Sequence, residues 1–346
     1  MGKNIRLLIV DDSRMMRNVI ADLFGTDPHI EVIATASSGL EALEIIQSEQ
    51  PDVITLDINM PEMDGLTTLK HLMIQAPTPT VMLSSLSRDG AKITFDALRY
   101  GAVDFITKPS HLNPEKMQDH AESMIHTIKC AASVEMDIVH YIRPESNIVG
   151  EPHNQDASYQ LIVAMGAAEG GYSSLLNILP RLSANNPLVY LVVLYGTPRY
   201  IDSFVAYLDS HCALTIKRAN HGEVVQGGTC YIATGEEYMT LHDNGFERTL
   251  QIHQAPFSSQ SSAINRLMFS LSDITDIQKI GIVLSGSNND GSEGLEELKR
   301  IGSDLIVQDP KNCLHKIMSD SAINHCVIDK VFSAAEIADH LNSYLD

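Results

Sequence analysis

Apolar residues fall along this chain in short blocks, separated by segments where they recur every three or four positions. In the first hundred residues the blocks IRLLIV (5–10), IEVIATA (30–36), DVITLD (52–57), TVMLSS (80–85) and AVDFITK (102–108) predict strands. Between the first two, SRMMRNVIADLF (13–24) sets Met16, Val19, Ile20 and Leu23 on one helical face, with Ser13 placed to cap its start. Strands alternating with helices predict a parallel sheet covered on both faces. From 110 the pattern changes. A helix is predicted around Met117, Met124, Ile125 and Ile128, and RPESNIVGEPHNQDAS (143–158), rich in Pro, Asn and Ser, reads as an exposed linker. The alternation resumes with YQLIVAMG (159–166), LVYLVVLYG (188–196), GTCYIATG (228–235), KIGIVLSG (279–286) and DLIVQDP (304–310). Helical stretches such as YSSLLNILPRL (172–182) and DGSEGLEELKRIG (290–302) stand between them. The expected organisation is an α/β domain over 1–109, a helical connector and linker over 110–158, and a larger doubly wound α/β domain over 159–346.

Composition narrows the function classes. A hydrophobic fraction of 44% and a charged fraction of 20% over 346 residues suit two globular domains. No apolar run approaches the roughly 20 residues of a membrane span. MGKNIR lacks both a signal-peptide core and the Ser or Thr of a myristoylation site, so a cytoplasmic protein without membrane insertion is expected. Cys130, Cys212, Cys230, Cys313 and Cys326 form no CxxC pair, which argues against zinc and for reduced thiols. Acidic residues outnumber basic ones 44 to 24, giving a net charge of −20 and no footprint for nucleic acid.

The predicted strand ends of the first domain carry a chemical set. Asp11 and Asp12 close the first strand, Asp57 the third, Ser84 the fourth and Lys108 the fifth. In an open parallel sheet, ligands gather at these carboxyl ends. Three clustered carboxylates repel one another, and a hard divalent cation such as Mg²⁺ relieves that repulsion. Asp57 can attack a phosphoryl group, Lys108 can neutralise it, and the Ser84 hydroxyl can hydrogen-bond one of its oxygens. The pieces VDDS, DINMPEMDGL, VMLSS and FITKP resemble the response-regulator receiver family over about 105 residues. The resemblance implies a flavodoxin-like five-stranded fold, Asp57 as phosphoacceptor, and a sensor histidine kinase as phosphodonor. It also implies a Mg²⁺ site of Asp11, Asp12, Asp57 and the Asn59 backbone carbonyl, and Ser84 with Phe105 as a switch pair.

The second domain holds three glycine-containing turns, GAAEGG (166–171), YGTPRYIDSF (195–204) and SGSNNDGSEGL (285–295). With GGTCYIATGEEYM read as a hairpin and SSAINRLMFSLS as a helix start, 159–345 resembles the effector domain of the chemotaxis protein-glutamate methylesterases, the CheB family. In that family a Ser-His-Asp triad hydrolyses methyl esters of receptor glutamates and deamidates certain glutamines. Carried onto this sequence, the serine position is Ala168, the histidine position Tyr195 and the aspartate position Asp290. Glu169 stands where the amide beside the nucleophile would help to form an oxyanion hole. An alanine methyl cannot attack a carbonyl, and a phenol with a reference pKa of about 10 cannot take a serine's proton near neutrality. Loss of a triad member leaves only binding and oxyanion stabilisation, roughly 10³- to 10⁴-fold over water. Ser173, Ser174, Cys230, His211, His221, His242 and His253 could in principle supply a relocated catalytic set, although none sits in a motif. Asp290 is expected to persist mainly as a turn former or as a cap for the helix that follows it.

The sequence therefore points to a two-component chemotaxis response regulator with a working phosphoryl switch. Its methylesterase-like output domain is expected to be inactive and to bind chemoreceptor cytoplasmic regions or other signalling proteins. The alternative is an active protein-glutamate methylesterase/protein-glutamine glutaminase with a non-standard catalytic set.

Overall fold

The apolar blocks of the first half become strands within a residue or two of their predicted ends. The computed structural model describes residues 4–84, 88–108, 114–134, 136, 159–183, 188–254 and 262–345, in two compact units, Met1–Pro144 and Glu145–Asp346. In the first unit β1 (Ile5–Val10), β2 (Ile30–Ala36), β3 (Val53–Asp57), β4 (Thr80–Ser84) and β5 (Asp104–Thr107) form one parallel sheet in the order β2-β1-β3-β4-β5. Every residue of β3 and β4 is buried, as expected for central strands covered on both faces.

Helices α1 (Arg14–Phe24), α2 (Gly39–Glu49), α3 (Gly65–Gln75), α4 (Arg88–Arg99) and α5 (Pro114–Ala131) alternate with these strands. Ser13, Ser38 and Asp64 cap the first three by accepting hydrogen bonds from the amides of Met16, Glu41 and Thr67. The buried stripe of α1 is rotated from the predicted one: Ile20 and Phe24 are inside, whereas Val19 is 40% exposed. Helix α5, in the segment read as a connector, lies in the first unit. Its Met124, Ile128 and Ala131 are buried, the His120 ring meets the Thr107 carbonyl at 2.8 Å, and Lys129 pairs with Asp27 at 2.5 Å.

In the second unit β6 (Leu161–Ala167), β7 (Val189–Leu194), β8 (Thr215–Arg218), β9 (Thr229–Thr234), β12 (Gln278–Val283), β13 (Asp304–Gln308) and β14 (Lys330–Phe332) form a parallel sheet ordered β14-β13-β12-β6-β7-β9-β8. β10 (Glu237–Asp243) and β11 (Arg248–Gln254) form a separate antiparallel pair. GGTCYIATGEEYM is thus not a hairpin: β9 joins the parallel sheet, and β10 pairs with the strand after it. Helices α6 (Gly171–Ile178), α7 (Pro198–Asp209), α8 (Ala263–Ser272), α9 (Ser292–Arg300), α10 (Ile317–His325) and α11 (Ala334–Asn342) complete the unit.

Ile264, Leu267, Met268 and Leu271 of α8 are wholly buried, each stabilising by roughly 1.5–3 kcal/mol and fixing α8 against the sheet. β6 is flanked by β7 on one side and β12 on the other, which puts the point where strand order reverses between β6 and β12. No described helix is long and apolar enough to cross a membrane.

Candidate functional site

Two groups of side chains lie at carboxyl ends of strands, one in each unit. In the first, Asp11 and Asp57 are buried and Asp12 is exposed, with one ligand oxygen of each within 4.8 Å of the others. Lys108 Nζ lies 2.8 Å from Asp11 Oδ2 and 2.7 Å from Asp57 Oδ2. The remaining oxygens accept backbone amides, Asp11 Oδ1 from Ser13 at 2.9 Å and Asp57 Oδ1 from Asn59 at 3.3 Å. Arg17 ties the first loop down by donating to the carbonyls of Asp11 and Asp12. A side chain at residue 65 would collide with the Asp57 carbonyl, so only glycine lets α3 start against the end of β3.

Burial pushes the Asp57 carboxyl above its ordinary value; Lys108 opposes this and the Asp11 charge adds to it. Burial pulls the Lys108 ammonium down, yet its bonds to Asp11 and Asp57 outweigh that and hold it above the usual lysine value. Three carboxylates against one ammonium leave a net negative, all-oxygen pocket, the donor chemistry that suits Mg²⁺. The Ser84 hydroxyl, buried, meets the Thr94 hydroxyl at 2.9 Å. Phe105 is half-buried on β5, in register with Met82, two residues before Ser84.

The second group gathers at the ends of β6, β7 and β12. The Tyr195 hydroxyl donates to Asp290 Oδ2 at 2.7 Å, so the structure brings these two sequence-selected residues together. Asp290 also accepts the Ile264 amide at 2.8 Å and the Asn265 amide at 3.0 Å. Its role as a cap therefore falls on α8, whose own N-cap Ser262 makes no side-chain bond, and not on α9 as the sequence suggested. Asn265 returns the arrangement: its Oδ1 accepts the amides of Gly291 and Gly294, at 3.0 and 2.8 Å, at the start of α9. Burial raises the Asp290 carboxyl; the Ile264 amide, Tyr195 and the Asn265 amide work against that rise.

Ala168 is fully buried, its amide donating to the Ser285 carbonyl at 2.9 Å. Its methyl belongs to the same apolar cluster as Ile264, Met318 and Ala322, and it and Met318 fill the space that a side chain at Gly286 would need. Gly170 has φ of +78°, and a side chain there would strike the Ser285 hydroxyl. That hydroxyl closes the turn: it accepts the His315 amide and has the carbonyls of Glu169, at 2.9 Å, and His315, at 3.1 Å, as acceptors for its one proton. Glu169 Oε2 accepts the Ser287 hydroxyl at 2.6 Å and the Ser287 amide at 3.3 Å.

The groups considered for a relocated catalytic set stand elsewhere. The buried Ser174 hydroxyl donates to Gln308 at 2.7 Å, and Ser173 is half-buried on the same helix. Cys230 is fully buried, and burial pushes its thiol well above the ordinary value. His211 Nδ1 lies 2.9 Å from the Ser210 hydroxyl, a serine–imidazole pair, but at the end of α7 away from the strand ends that hold Asp290. His221 and His253 meet edge to face at 5.7 Å beside the β10–β11 pair, and His242 is exposed on β10. Asp290 hydrogen-bonds none of them. Sequence reasoning missed Asn265, Ser285 and Ser287. Asn265 had a signal, a polar residue inside the apolar face of α8; the serines had none beyond their glycine-rich turn.

Residues 163–341 match the family model described as CheB methylesterase, and residues 7–122 that of the response regulator receiver domain. The protein-glutamate methylesterase/protein-glutamine glutaminase of Pyrococcus abyssi is 34% identical over 97% of this chain and 92% of its own length. That of Halalkalibacterium halodurans is 33% identical over 99% and 98%. The crystal structure of the Thermotoga maritima CheB methylesterase catalytic domain superposes with a TM-score of 0.50 at 27% identity, covering 54% of this chain and 99% of that one.

Proposed function

From the premise that the chain belongs to the CheB methylesterase family and carries a receiver domain ahead of the methylesterase domain, we propose that it is a phosphorylation-controlled regulator whose second domain binds partner proteins without hydrolysing esters. Asp57 is the phosphoacceptor and a sensor histidine kinase the donor. Asp11, Asp12, Asp57 and the Asn59 carbonyl would hold Mg²⁺, which supplies charge neutralisation for the incoming phosphoryl group. Lys108 already bridges Asp11 and Asp57 and is placed to follow the new negative charge. Ser84, now bonded to Thr94, is the hydroxyl that would turn toward the phosphoryl group, with Phe105 as its partner in the switch.

The observation that carries the non-hydrolytic half is the use made of Asp290. In a triad the acid orients an imidazole and stabilises the imidazolium it becomes. Here its carboxylate holds a phenol and two helix-start amides, while the position expected to bear the nucleophile is a buried methyl. Chemoreceptor cytoplasmic regions or other signalling proteins are the partner class, as the family resemblance implies, and the relatives' name points to glutamate side chains of proteins.

That name also favours a second reading, turnover by some other catalytic set. Methanol release from methylated chemoreceptor, with the chain treated with acetyl phosphate and Mg²⁺, decides between them. No release above buffer is expected. Release that a single Ser, Cys or His substitution abolishes would establish the hydrolase instead. The receiver half is tested by phosphoryl uptake from acetyl phosphate, which Asp57→Ala and chelation of Mg²⁺ should each abolish.

A further inference from the structure

The Glu169 carboxylate sits in a cradle of donors. Its Oε2 takes the Ser287 hydroxyl at 2.6 Å and the Ser287 amide at 3.3 Å, across the cleft formed by the turns after β6 and β12. The Ser285 hydroxyl, donating to the Glu169 carbonyl at 2.9 Å, locks the backbone of the same residue. Desolvation pushes this carboxyl up, but the Ser287 hydroxyl and the amides of Glu169 and Ser287 outweigh it and hold it below the ordinary glutamate value; the neighbouring His315 adds to that lowering. Such a set of donors prefers the ionised carboxylate.

Amides that converge beside a nucleophile turn are what an acyl-transfer site uses to receive a developing oxyanion. We propose that the donors of this cleft form a carboxylate-binding site, and that Glu169 is its resident ligand. The site is thus filled by the chain itself. A substrate carbonyl entering it would find its donors engaged and would develop negative charge beside a fixed carboxylate, which repels it although Glu169 itself is exposed. The inference rests on the non-hydrolytic reading above and extends it. Loss of ester chemistry then has two independent causes, the residues at 168 and 195 and the carboxylate at 169.

The test uses the full-length chain and acetate, a probe that carries only the carboxylate. In Glu169→Ala the residue-169 amide and the Ser287 donors remain, so acetate should bind at the cleft, shifting the Ser287 amide resonance saturably and about tenfold more tightly than in the unaltered chain. Equal response in the two chains, or none in the variant, would overturn the proposal. Should Glu169→Ala fail to fold, Ser287→Ala supplies the second reading. Removing the hydroxyl should move the titration midpoint of the Glu169 carboxyl upward, and an unmoved midpoint would also overturn it.

A third arm separates this inference from the reading beneath it. Ala168→Ser with Tyr195→His should release no methanol from methylated chemoreceptor until Glu169→Ala is added. Release by the double variant alone refutes the blocking role of Glu169, whereas release by the unaltered chain refutes the non-hydrolytic reading and leaves the acetate result standing.

Discussion

Asp290 shows how much one side chain can carry once the fold has placed it. Three donors converge on its buried carboxylate, and two of them are amides that α8 could not otherwise satisfy. Losing the phenol and losing the carboxylate have different costs. Tyr195→Phe removes one hydrogen bond and leaves the cap intact, so it should destabilise the second domain by about 1 kcal/mol in chemical denaturation. Because Tyr195 lowers the Asp290 carboxyl, the same change should raise that carboxyl further above its ordinary value. Asp290→Ala abandons two buried amides as well as the phenol, and a cost of about 2–4 kcal/mol is expected. Equal costs for the two variants would mean that the capping of α8 is dispensable. The sequence showed Asp290 and suggested a cap, but the amides it serves are 25 and 26 residues away, a separation that no local pattern reveals.

At the scale of elements, helices α8 and α9 hold each other's first turns. Asp290, just ahead of α9, caps α8, and Asn265 of α8 caps α9. Asn265→Ala and Asp290→Ala should therefore be non-additive, with a coupling of about 0.5–3 kcal/mol in a double-mutant cycle. Helix α5 offers a pH-dependent case. Lys129 and the His29 amide hold the Asp27 carboxyl below its ordinary value of 3.8. Stability from that pair is present above the unfolded pKa and is lost as pH falls through the lower, folded one. In acid titration the unaltered first domain should lose about 0.2–1 kcal/mol more than Asp27→Asn does below about pH 4. The apolar spacing of α5 was legible in the sequence, but the surface that receives it was not. Likewise α1 was correctly placed, although its buried stripe centres on Ile20 and Phe24 and leaves Val19 outside. Spacing by three and four admits neighbouring stripes, and only the sheet beneath chooses among them.

For the whole molecule, two compact units each own a sheet and a core, and residues 159–346 produced alone should unfold cooperatively and reproduce the cost of Tyr195→Phe. A non-cooperative transition in that fragment would show that the second core is incomplete by itself. Ten strands of the two parallel sheets were legible because each carries an apolar run, most of them buried on both faces, with β2 and β5 only partly buried. β8 and β14 were not. TIKR and KVF are short edge strands with mixed burial, and such segments carry no apolar run to read. The receiver pocket was visible as strand-end aspartates with a lysine, since the carboxyl ends of a parallel sheet must lie on one edge. By itself, then, the sequence determined the alternation of strands and helices, the acidic strand ends, and the alanine and tyrosine at 168 and 195. Only the tertiary structure decided that β10 pairs with β11, that Asp290 serves α8, and that Glu169 lies in the grip of Ser287. The last two join residues 25 to 118 positions apart, where periodicity is silent, and the first is a local hairpin closing at Asp243 and Arg248 whose partly exposed strands carry no continuous apolar run.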